Sequence, residues 1–120
     1  MIKAKPFNQY SWWIILNPQA GNGRAAQSRE AIEELLIKQG FTYYLVETTH
    51  KKQAYDLVKI GVEKGYRHIM AIGGDGTNNE VVNGILRQNL IPATQLSYTI
   101  LPLGTGNDWI KQHKIPANWK

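Results

Sequence analysis

His68 to Gly84 reads HIMAIGGDGTNNEVVNG, and it changes character twice within 17 residues. The apolar run HIMAI (68–72) has the pattern of a buried strand, whereas Val81, Val82, Ile85 and Leu86 fall on one stripe of a helix. Between them, Gly73 to Thr77 crowd three glycines, an aspartate and a threonine into five positions. Glycine admits positive φ and close approach of other atoms, at an entropic cost that a plain surface turn need not incur twice. The segment therefore predicts a strand, a ligand-contacting loop and a helix in succession.

The same order recurs on either side. WWIIL (12–16) reads as a strand stopped by Asn17-Pro18, with AGNG (20–23) as a turn. Arg24 to Gln39 carries a helical stripe of Ala25, Ala26, Ala31, Ile32, Leu35 and Leu36, closed by Gly40. FTYYLVE (41–47) gives a second strand, and residues 51–64 a helix with Ala54, Leu57, Val58, Gly61 and Val62 on one face, closed by Gly65. SYTIL (97–101) is a fourth strand that runs into another glycine loop. Strand starts near 12, 41, 68 and 97 are 29, 27 and 29 residues apart, which is the length of a βαβ unit. The expectation is one α/β domain over residues 1–120, a parallel sheet with helices on both faces in three layers.

Composition narrows the classes. At 42% hydrophobic and 19% charged, the 120 residues suit one soluble globular domain, and no apolar run nears the ~20 residues of a membrane-spanning helix. The N-terminal apolar run is short and mixed with polar residues, so no signal peptide is expected. The absence of cysteine excludes disulfides and thiol chemistry. His50, His68 and His113 show no metal-ligand spacing. The net charge of +5 favours anionic partners such as nucleotide phosphates, acidic lipid headgroups or nucleic acid. Trp12, Trp13 and Phe41 sit at strand positions and read as core rather than base-stacking platforms, so nucleic acid is not an expected partner.

In a parallel sheet, ligands sit at the C-terminal ends of the strands. Three loops there are rich in glycine: NPQAGNG (17–23), GGDGTNNE (73–80) and PLGTGND (102–108). They place Gly21, Gly23, Gly73, Gly74, Gly76, Gly104 and Gly106 on one rim, with Gly84 behind. Backbone N–H groups freed at a helix start, with the helix dipole behind them, make an anion site whose usual guest is phosphate. TNNE (77–80) also fits a capping box, which would employ Thr77 and Glu80 structurally. Two of the three aspartates, Asp75 and Asp108, lie inside these loops. A carboxylate beside phosphate calls for a cation, so they suggest magnesium or a base for a substrate hydroxyl, against the plainer reading of an N-cap or Asx turn. Arg24 could pair a phosphate or a surface carboxylate, and Lys51 and Lys52 look like a solvated helix start.

A Walker A loop is absent. Gly21-x-Gly23-x-x-Ala26 does match a dinucleotide fingerprint, with Glu47 where a ribose-binding acid would sit. Asn17-Pro18 interrupts that fingerprint's tight entry, and the rival leaves the two later loops unexplained.

Taken together, NPQAGNG, GGDGTNNEVVNG and LPLGTGNDW resemble the diacylglycerol kinase catalytic-domain family, which includes bacterial lipid kinases and sphingosine kinases and is related to NAD kinases and phosphofructokinases. The match runs from about Trp12 to Lys111, and Trp109 stands where a Phe more often follows the aspartate. The resemblance implies a nucleotide-binding domain that transfers the γ-phosphoryl of ATP to a lipid hydroxyl, diacylglycerol foremost, with Mg²⁺. Asn17, Pro18, Gln19, Ala20 and Gly21 would then contact ATP. So would Gly73, Gly74, Asp75, Gly76, Thr77, Asn78 and Asn79, together with Thr105 and with Thr48, for which Thr49 is the alternative register. Asp75 and Asp108 would organise magnesium and water, and the aspartate matching Asp75 is regarded as the base in sphingosine kinases.

Family members carry a second, mostly β domain, which contributes lipid-binding surface and, in bacterial diacylglycerol kinases, the proposed general base. The 120 residues are therefore expected to be an N-terminal ATP-binding domain, with weak nucleotide binding and turnover far below the roughly 1–100 per second of working kinases. A cytoplasmic location with peripheral contact to anionic membrane is expected; a homodimer stays open. The rivals are an NAD kinase-like enzyme and a non-catalytic dinucleotide-binding module.

Overall fold

Successive residues of a strand point to opposite faces, and in WWIIL both sets are buried. The computed structural model describes residues 10–102. It runs β1 (Trp12–Leu16), α1 (Ala20–Lys38), β2 (Tyr43–Glu47), α2 (Gln53–Glu63), β3 (His68–Gly73), α3 (Asp75–Arg87), a 3-10 turn at Ala93–Gln95, and β4 (Ser97–Pro102). The strands form one parallel sheet in the order β2-β1-β3-β4.

On one face Trp12, Ile14 and Leu16, with Met70 and Ile72, meet Ala25, Ile32 and Leu36 of α1. On the other, Trp13 and Ile15, with Ile69 and Ala71, meet Ala54, Val58 and Val62 of α2 and Val81 and Ile85 of α3. Burial on both faces explains the near-continuous apolar runs of β1 and β3. The three-layer α/β expectation holds; among the described residues, one helix covers the first face and two the second.

Two glycines close the spacing between α2 and its neighbours. A Cβ on Gly61 would lie 2.5 Å from Cδ1 of Trp13, whose Nε1 donates to the Leu57 carbonyl at 2.9 Å. A Cβ on Gly84 would lie 2.9 Å from the Tyr55 carbonyl oxygen. Gly84 thus serves the contact between α2 and α3 rather than standing behind the ligand rim.

Helix ends follow the sequence closely. Gly40 (φ 85°) and Gly65 (φ 104°) adopt the left-handed conformation just past α1 and α2. Phe41 N–H reaches back to Leu36 O and Tyr66 N–H to Gly61 O, each at 3.0 Å. The exception is the start of α1, which begins at Ala20 inside the AGNG read as a turn. Asn17 explains it. Its side-chain Oδ1 accepts the Gln19 N–H at 3.0 Å and its carbonyl the Ala20 N–H at 3.1 Å, so the turn leads directly into the helix. Gly23, within α1, stands at φ 89°.

Candidate functional site

The chain leaves β1 toward β2 on one side and leaves β3 toward β4 on the other, which opens a crevice between the C-terminal ends of β1 and β3. That crevice is where α1 and α3 begin. Neither helix has a side-chain cap, so the N–H groups of the first turn of α3, at Asp75, Gly76 and Thr77, lack intrahelical partners. The first helical bond there is Asn78 N–H to Gly74 O, at 3.0 Å.

The two loops are joined across the crevice. Asn17 N–H donates to Ile72 O at 3.0 Å, and its Nδ2 to Thr77 Oγ1 at 3.1 Å. Thr77 is buried against Gly73, where an added Cβ would lie 2.6 Å from Thr77 Oγ1. The capping box does not form. Helix α3 starts at Asp75, so Thr77 sits too far inside to cap it, and Glu80 Oε2 instead accepts the Lys52 N–H at 3.1 Å.

Gly74 and Gly76 differ from Gly73. A Cβ on either meets no atom within 4 Å, and neither has positive φ; Gly74 is extended at φ −100° and ψ −160°. No described part of the protein requires glycine at these two positions. At Gly76, in the first turn of a helix, glycine even forgoes stability that alanine would give.

Asp75 is exposed in this first turn, and its carboxylate has no hydrogen bond or ion pair among the described residues. The helix dipole favours a negative charge there. One free carboxylate beside a phosphate site is what magnesium asks of a protein, since phosphate oxygens and waters complete its shell. Asp75 thus fits the ion. Asp108 and Thr105 lie outside the described residues, as do Gly104, Gly106, Trp109 and His113.

Thr48 stands at the same rim, its N–H bonded to Leu16 O at 2.9 Å. Its hydroxyl has no partner among the described residues, whereas that of Thr49 is engaged by Gln53 Oε1 at 3.0 Å. Arg24 is half-buried and forms no ion pair with a described residue. Glu47 is different: its Oε2 takes Arg29 Nη1 at 2.5 Å, while Arg29 Nε bonds Glu33 Oε2 at 2.8 Å. A carboxylate already engaged by arginine is a poor ribose ligand, which weakens the dinucleotide reading of Gly21 to Ala26.

Beyond Gly76 an open cleft of about 600 Å³ runs between α2 and α3, lined by Lys52, Tyr55, Asn79, Glu80, Asn83 and Arg87. Lys52 caps α2 in the left-handed conformation, φ 69°, a backbone state that its residue type does not announce. Asn79, Asn83 and Arg87 repeat every four residues along α3, a spacing from which one shared face was readable.

Residues 11–120 match the family model of the diacylglycerol kinase catalytic domain. The chain belongs to that family. Among its relatives, a diacylglycerol kinase of Staphylococcus saprophyticus is 32% identical over 105 residues, covering 88% of this chain and 33% of the relative. Sphingosine kinase 1 of Homo sapiens is 32% identical over 96 residues, covering 78% and 25%. A solved diacylglycerol kinase structure from Bacillus anthracis superposes with a TM-score of 0.65 at 26% identity, covering 92% of this chain and 39% of that one. The chain spans between about an eighth and a third of the length of the curated relatives it matches. Among the described residues, no helix is long and apolar enough to cross a membrane.

Proposed function

We propose that this diacylglycerol kinase-like domain is the ATP-binding part of a lipid kinase that passes the γ-phosphoryl group of ATP to a lipid hydroxyl, diacylglycerol being the acceptor. The observation that carries the reading is the pair Gly74 and Gly76, glycines with open space where a side chain would be and no backbone need for glycine. They keep the first turn of α3 bare, so that its free N–H groups can meet phosphate oxygens directly. The nucleoside then extends into the cleft that begins at Gly76, whose volume suits a ligand of that size.

Asp75, with Asp108, would hold magnesium, which when bound neutralises charge on the phosphoryl group in transfer. The acceptor hydroxyl must lose a proton as its oxygen attacks phosphorus. We assign Asp75 as the candidate for that proton too, the alternative being a base outside these 120 residues, where the lipid would also be held. The same reading puts the protein in the cytoplasm in peripheral contact with anionic membrane, consistent with the charge of +5.

Titration calorimetry with Mg·ATP and with NAD, on wild type and Gly74→Val, tests the proposal. ATP should bind wild type and fail to bind the valine variant, with both proteins folded. Preference for NAD, or equal ATP affinity in the two proteins, would overturn it.

A further inference from the structure

Tyr98, the second residue of β4, lies on the sheet face covered by α2 and α3, and its hydroxyl donates to Oδ1 of Asn78 in the first turn of α3. The phenol is half-buried, and burial pushes its pKa up to about 12. At neutral pH it is a fixed O–H that requires an acceptor, and Asn78 Oδ1 is the acceptor it has. An amide whose oxygen is committed in this way presents its Nδ2 elsewhere, as a donor only. Asn17, on the other side of the same turn, is oriented by the same logic. Its Oδ1 takes the Gln19 N–H and its Nδ2 is left to donate to Thr77. The side-chain carbonyls of Asn17 and Asn78 are therefore both occupied by the protein. The amide nitrogen of Asn78 thereby joins the free N–H groups of Asp75, Gly76 and Thr77 as a donor at the start of α3, beside the exposed Asp75 carboxylate.

We propose that Tyr98 is a positioning residue for phosphate: by holding the carbonyl oxygen of Asn78, it commits the amide nitrogen as a donor to the anion bound at the start of α3. This rests on the nucleotide reading above. Tyr98 touches no ligand itself and carries none of the signals that drew attention to the glycine loops.

The test is calorimetry on the 120-residue chain with Mg·ATP, inorganic pyrophosphate and adenosine, for wild type, Tyr98→Phe, Asn78→Ala and the double variant. Tyr98→Phe keeps the ring and removes only the hydroxyl. It should weaken Mg·ATP and pyrophosphate about fivefold to tenfold, the usual worth of one hydrogen bond, and leave adenosine unchanged. The double variant should bind no more weakly than Asn78→Ala, because the hydroxyl acts only through that amide. Unchanged pyrophosphate affinity in Tyr98→Phe, or a parallel loss for adenosine, overturns the proposal while leaving the nucleotide reading intact. A folded wild-type chain that binds neither ATP nor pyrophosphate overturns the nucleotide reading, and the role of Tyr98 falls with it.

Discussion

Alanine at each of the three loop glycines separates what the protein needs from what the ligand needs. Gly73→Ala brings a Cβ to 2.6 Å from Thr77 Oγ1 and 2.9 Å from Thr77 Cβ. Thr77 cannot easily yield, because it is buried and its hydroxyl is held by Asn17. Overpacking of this kind costs about 1–3 kcal/mol, and losing the Asn17 bond adds about 1 kcal/mol. The stiffer unfolded chain of an alanine variant returns roughly 0.4–1 kcal/mol, for a net loss of about 1–3.6 kcal/mol. At roughly 4 °C per kcal/mol for a domain of this size, Tm should fall by about 4–14 °C.

Gly76→Ala, with open space and a helical backbone, should instead raise stability by up to about 1 kcal/mol. Gly74→Ala should cost less than about 1 kcal/mol as a weakened cap. Both should nevertheless weaken Mg·ATP binding, since the new methyl group enters space assigned to phosphate. Thermal melts by circular dichroism and parallel ATP titrations read the two effects apart. The reasoning is refuted if Gly73→Ala melts with wild type, or if Gly76→Ala keeps its full affinity for ATP.

Gly61→Ala would force a Cβ to 2.5 Å from the buried ring of Trp13, and urea unfolding should register a loss of about 3 kcal/mol or a loosely packed state. The phenols of Tyr43 and Tyr98 have raised pKa values, mainly through burial and, for Tyr43, also through its bond to Glu33. A folded value above the unfolded one near 10 means stability that is intact below about pH 10 and drains as pH climbs toward about 12. Urea midpoints should fall over that window, and less steeply in Tyr98→Phe; a flat profile would contradict the assignment. Asp75→Asn should cost less than about 1 kcal/mol, since the carboxylate is exposed and unpaired, yet remove the magnesium dependence of ATP binding measured by calorimetry.

Most of the fold was legible because its signals are local. Apolar runs located three of the four strands to the residue at their starts, at 12, 68 and 97, and Gly40 and Gly65 marked two helix ends through a conformation that glycine favours. The start of α1 was not legible, because it depends on one asparagine side chain reaching a backbone N–H two residues on. At the site, the glycines were visible, but their separate duties were not. Gly73 answers to Thr77, Gly84 to the backbone of α2, and Gly74 and Gly76 to nothing in the described protein. The capping box failed as a reading because Thr77 and Glu80 have partners from β1's exit and from the start of α2, far away in sequence. Tyr98 escaped notice, and Lys52 was legible only as a solvated helix start, for the same reason: a left-handed lysine and a tyrosine hydroxyl acquire meaning only from what folds against them.

The bond between Asn17 and Thr77 joins residues 60 apart in the chain, with α1, β2 and α2 all lying between them. No single hairpin or βαβ unit contains both halves of the crevice. During synthesis, β3 must be laid beside β1 before the two halves of the crevice meet, so on the proposed reading a nascent or half-folded chain would be blind to the nucleotide. Ligand binding would then act on the folding equilibrium as a whole, protecting the central strand pair against exchange and proteolysis instead of stiffening one loop.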